Sequence, residues 1–153
     1  MTVYEAWASA WPARILRLLF AALLLVTGGA KLLDIEGFAA VVDSYALLPA
    51  LLITPSTWAL AIMEIGLGLW LLSNRRLGAA AVLLIALHLL YLLWLMVALA
   101  RGLSLPNCGC FGVYWPRPLT WFSPLEDLAL LLLATLLWLW SSVPTADAQR
   151  ART

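Results

Sequence analysis

An all-α fold is predicted: a bundle of four membrane-spanning helices, with one short amphipathic helix in the first outer loop. Three observations predict it. The 153 residues are 65% hydrophobic and 11% charged, with a mean hydropathy of +0.98, which is foreign to soluble globular domains. Four apolar stretches approach the length of about 20 residues that crosses a bilayer core. Nine Trp are present, and Trp7, Trp11, Trp115, Trp121, Trp138 and Trp140 fall where interfacial belts are expected. The lipid bilayer is therefore the first partner. A net charge of +1 gives no reason to expect nucleic acid.

The spans are predicted at about 14–33, 57–73, 77–100 and 123–141, within one membrane domain of residues 1–142. Residues 143–153 are polar and read as a disordered cytoplasmic tail. The first span resembles a signal peptide in part, with Arg14 and Arg17 before it and Gly28-Gly29-Ala30 near its end. Its apolar run continues through Leu32 and Leu33, longer than a usual signal core, which favours a span. In the first outer loop, Ile35, Phe38, Val42, Tyr45 and Leu48 recur at helical spacing between Asp34 and Pro49. That pattern predicts a surface helix capped by Asp34, acting as a cover for the bundle or as one wall of a site. Ser123-Pro124-Leu125-Glu126 reads as a helix start, with Ser123 as N-cap and Glu126 capping from three residues on.

Orientation follows from Lys and Arg. Arg14, Arg17, Arg75, Arg76, Arg150 and Arg152 cluster at one end of the predicted bundle. The positive-inside rule puts that end, and both termini, in the cytoplasm of a cell's inner (plasma) membrane protein. The loop Pro106-Asn107-Cys108-Gly109-Cys110-Phe111-Gly112 then faces the extracytoplasmic side, where disulfides persist.

That loop holds the only two cysteines. A thiol pair one residue apart closes into a disulfide only through a turn, which the intervening glycine permits. So small a ring contributes about 1.5 kcal/mol by loop entropy and braces little, so electron exchange suits it better. Cys108 and Cys110 are the candidate catalytic residues. Two thiolates make half of a tetrahedral zinc site and the one His lies far below, so no metal is expected.

Ionisable side chains at membrane depth are costly and mark function or register. From the rise per residue, Glu64 lies about 15 Å from the cytoplasmic arginines, His88 about 18 Å and Lys31 about 21 Å. Asp127 lies about 6 Å below the outer surface. Lys31 has Glu64 or Asp127 as candidate partners, and Tyr91 shares a face with His88. Together Lys31, Glu64, His88, Tyr91 and Asp127 form a structural charge cluster or a polar pocket beneath the cysteines, one that would hold a quinone or relay protons. Gly66 and Gly68 flank this layer and allow close helix approach.

Gly29-Ala30-Lys31-Leu32, Phe38, Tyr45-Ala46-Leu47-Leu48-Pro49, Glu64 with Gly66 and Gly68, and Cys108-Gly109-Cys110-Phe111-Gly112 occur in that order. Residues 14 to 140 thereby resemble the MauE-like proteins, methylamine-utilisation accessory proteins of the wider DoxX-like four-helix group. The resemblance implies a periplasmic thioredoxin-like partner and the maturation of a disulfide-rich dehydrogenase subunit. It marks Lys31, Glu64, Cys108 and Cys110. The chain departs from the pattern in carrying Glu126, not Arg, before Asp127. The function expected is a thiol–disulfide relay, with quinone as the candidate cofactor. A non-catalytic membrane anchor for a periplasmic maturation system and a small-molecule carrier stand as alternatives.

Overall fold

The computed structural model describes residues 3–141, with side chains from residue 11 onward. The expected tail at 143–153, Arg150, Arg152 and the side chain of Trp7 lie outside the described residues. The described chain is all-helical: α1 (Val3–Leu33), α2 (Ile35–Ser44), α3 (Ala50–Ser73), α4 (Leu77–Ala100) and α5 (Phe122–Ser141). Trp11–Leu33 of α1, and all of α3, α4 and α5, are long and apolar enough to cross a membrane.

Three helix starts differ from the sequence expectation, α1 being helical already from Val3, ahead of residue 14. The third helix begins at Ala50, ahead of Thr57, and carries Pro55 inside it. Pro55 lies past the first turn, so the helix lacks the amide that would donate to the Leu51 carbonyl there. The last helix begins at Phe122, so Ser123 already lies inside it. The Ser123 amide donates to the Thr120 carbonyl, and Glu126 pairs with Arg117 at 2.6 Å instead of capping the helix. The surface helix forms as expected from Asp34 but is shorter than its pattern, leaving Tyr45 and Leu48 in the turn that follows. Asp34 accepts from the Gly37 amide, and the helix ends at Ser44.

Packing divides the bundle into two close pairs, α1 with α3 and α4 with α5. The α1–α3 contact depends on two glycines. A Cβ on Gly28 would lie 2.8 Å from Ile65 Cγ1, and one on Gly68 would lie 3.0 Å from Leu25 Cγ. Gly66, in contrast, has open space about it. At the Arg75/Arg76 end, Phe20, Leu24, Leu71, Leu84, Ala134 and Leu137 form the dry core. Nearer the cysteines the four helices part around a cavity of about 670 Å³. There α2 and the 101–121 loop close the bundle, and a smaller cluster of Tyr45, Leu95, Ala98 and Leu119 holds them together.

Candidate functional site in the bundle cavity

The cavity is lined mainly by apolar side chains, and every polar residue singled out at membrane depth reaches its wall. Lys31, near the end of α1, is 1% exposed and places Nζ 2.6 Å from Glu64 Oε1 on α3. The Tyr91 hydroxyl of α4 donates a short hydrogen bond to the same Oε1. Lys31 Nζ also stands 5.3 Å from the Tyr91 ring centre and 5.4 Å from that of Phe38. Aromatic faces and a carboxylate thus replace the water that the ammonium loses on burial. Of the two candidate partners for Lys31, Glu64 takes the ion pair.

Asp127 serves His88 instead. His88 Nδ1 and Asp127 Oδ1 are 2.7 Å apart, linking α4 to α5. Phe20 and Tyr91 flank the imidazole, with ring centres 5.8 and 6.3 Å away. One polar atom of each acidic or basic group besides Lys31 has no hydrogen-bond partner: Glu64 Oε2, His88 Nε2 and Asp127 Oδ2. Unsatisfied polar atoms at such burial cost about 1–3 kcal/mol each, more when charged.

Above this layer sits the thiol loop. Cys108 Sγ and Cys110 Sγ are 2.9 Å apart, both as free thiols. Cys108 is half-buried and Cys110 exposed, and both border the cavity. The loop is fixed from several sides. The Cys108 amide donates to the Arg117 carbonyl at 2.7 Å. Asn107 Oδ1 accepts from the Gly109 amide, and Asn107 Nδ2 donates to the Gly112 carbonyl, both at 2.9 Å. Gly109 and Gly112 have φ of +75° and +65°. Side chains there would be strained by conformation and crowded, against Val41 at Gly109 and against the Ala30–Lys31 backbone at Gly112. The second contact seats the thiol loop directly on the helix turn that carries Lys31.

Tyr45 explains part of the Tyr-x-Leu-Leu-Pro element. Its hydroxyl donates to the Cys108 carbonyl at 2.8 Å, and its ring lies 5.8 Å from that of Trp94. Burial first, then the neighbouring Cys108 and Cys110, push the phenol above its ordinary range. Tyr45 is thus a fixed hydrogen-bond donor. Arg101 holds the turn after it, donating to the Tyr45 carbonyl at 2.8 Å and the Ala46 carbonyl at 3.2 Å. Arg101 and Arg117 are functional neighbours that the sequence did not single out. The signal available was their position on either side of the thiol loop.

The two thiols share protons unequally. The Cys108 thiol falls to about 6, chiefly through the hydrogen bond it shares with Cys110, with help from the Arg117 charge. Cys110 rises well above the ordinary thiol range, chiefly through its hydrogen bond with Cys108. Near neutral pH the loop therefore presents one thiolate and one thiol.

Four apolar helices around a charged cavity, closed by a loop with a thiol pair, define a small multi-pass membrane protein with an internal site. The chain belongs to the MauE family: the family described as methylamine utilisation protein MauE matches residues 9–141. It is similar to the methylamine utilization protein MauE of Paracoccus denitrificans, at 30% identity over 119 residues, covering 78% of this chain. It spans 64% of that relative's length. No solved structure matches the chain.

Proposed function

We propose that this protein is a membrane thiol–disulfide exchange component of a periplasmic maturation system. By its family it would be an accessory protein in methylamine utilisation, with a thioredoxin-like protein as its exchange partner. The observation that carries the reading is the contact of 2.9 Å between Cys108 and Cys110 at the mouth of a charged cavity. The Lys and Arg distribution supports an extracytoplasmic thiol loop, with both termini in the cytoplasm.

The exchange runs as follows. With the pair oxidised, a thiolate of the partner attacks Cys110 Sγ. The Cys108–Cys110 bond breaks and Cys108 leaves as a thiolate. A low-pKa thiol is the better leaving group, and Cys108 is the one lowered to about 6. The partner's second thiolate then attacks its own sulfur in the mixed disulfide and releases Cys110, which takes a proton. The partner loses two electrons and this chain gains them.

A redox titration of the purified protein in dithiol buffers tests the reading. Structural disulfides lie below about −300 mV, and labile ones are more oxidising. The pair is expected above that value. A pair that stays oxidised in mild dithiol reductant would favour a docking anchor whose disulfide only shapes the loop.

A further inference from the structure

We propose that the cavity beneath the thiol loop binds a lipid-soluble isoprenoid quinone, which takes the electrons collected by Cys108 and Cys110. This inference rests on the exchange reading above and adds the electron acceptor. Three observations carry it.

The first is size and character. A cavity of about 670 Å³ with mostly apolar walls falls within the range of about 300–1,000 Å³ that small-molecule sites occupy. The second is access. Ala59 and Met63 of α3 and Leu90 of α4 line the cavity and are also exposed on the outside of the bundle. They lie where α3 and α4 pack loosely, at bilayer depth, so a ligand dissolved in lipid enters sideways between these helices.

The third is the polar end. Glu64, His88 and Asp127 are 1%, 3% and 7% exposed, and each keeps one polar atom without a protein partner. With Nδ1 engaged by Asp127, His88 has Nε2 left for a ligand oxygen, to which it donates when it carries the hydrogen. A quinone carbonyl is such an acceptor, and its ring and tail suit the apolar walls. The carboxylates of Glu64 and Asp127 give protons a place to rest near the ring.

The reaction balances without a further reagent. The dithiol loses two protons and two electrons, and one S–S bond forms between Cys108 and Cys110. The quinone gains both electrons and two protons, and its two carbonyls become hydroxyls. Only two cysteines are present, so a second thiol pair in this chain cannot be the acceptor.

The test uses the reduced full-length protein in nanodiscs with decylubiquinone, without oxygen. Binding is read by tryptophan quenching, disulfide formation by thiol counting, and quinol by ultraviolet absorbance. The expected result is saturable binding, with one disulfide and one quinol formed per chain. Cys108→Ser/Cys110→Ser should bind but yield no quinol. Ala59→Trp and Leu90→Trp, which narrow the lipid-side opening, should weaken binding at least tenfold. Absent saturable binding, or binding untouched by both rim variants, overturns the quinone site. If the pair still exchanges with a small aromatic disulfide in that case, the relay reading survives alone. Quinone that binds without oxidising the thiols overturns the electron transfer. Thiols inert to both quinone and small disulfide sink the exchange reading itself.

Discussion

Lys31 and Glu64 illustrate how one buried pair organises a site. Breaking a buried ion pair from one side costs about 3–5 kcal/mol, because the remaining charge has nowhere to go. Lys31→Met and Glu64→Gln should each lower stability on that scale. The double variant should recover part of the loss, as a coupling in a double-mutant cycle of detergent melts. Strict additivity would contradict the pairing. The sequence offers this pair as one of two, beside Lys31 with Asp127. The His88–Asp127 pair was not legible, because depth counted along apolar helices does not tell which faces meet. Cys108 makes a second residue-scale prediction. Its thiolate fraction, and hence its labelling rate by a maleimide, should rise as pH increases through about 6. Below that pH the thiol is protonated and slow. Cys110→Ala removes the hydrogen-bond partner and Arg117→Gln removes the facing charge, so each should move the midpoint up, towards the ordinary thiol value near 8.5. A midpoint unchanged in both variants would show that these neighbours do not set it.

At the scale of helices, the contact between α1 and α3 positions half of the site. Gly28→Leu must push Ile65 and Glu64 away, since even a Cβ lies 2.8 Å from Ile65 Cγ1. Overpacking of this kind costs about 1–3 kcal/mol, and here it also separates Lys31 from Glu64. A lowered melting temperature is expected for Gly28→Leu, while Gly66→Leu should be near neutral because its site is open. Gly28 escaped sequence reasoning, which singled out Gly66 and Gly68 beside the charged residue on α3. The reason is physical. The helices α3 and α4 are apolar around their whole circumference, so no periodicity tells which face meets which neighbour. The amphipathic α2 was legible, since one of its faces meets water. The start of α5 was misread because the Ser-Pro-x-Glu pattern competes with a turn from Thr120 that begins the helix earlier. Glu126 is then free for Arg117, which brings a cation beside Asp127's turn from the loop instead of from the preceding helix position.

For the whole molecule, hydropathy and charge distribution made the four-span architecture legible, and the cysteines drew attention to the end that matters. The cavity was anticipated only as a pocket of polar residues, because its volume depends on how far the helices part. Orientation is open to direct test. An impermeant maleimide applied to intact, reduced cells should label Cys108 and Cys110, and labelling that appears only after lysis would reverse the proposed topology. The central claim is that the two thiols exchange with a partner disulfide or dithiol. The most direct measurement is capture of a mixed disulfide in cells carrying single cysteine variants. In Cys108→Ser the exposed Cys110 should hold a periplasmic thiol protein, released by reductant and identifiable by mass spectrometry. In Cys110→Ser the half-buried Cys108 should hold far less. Capture by neither variant, with a wild-type pair inert to mild reductant, would contradict the account.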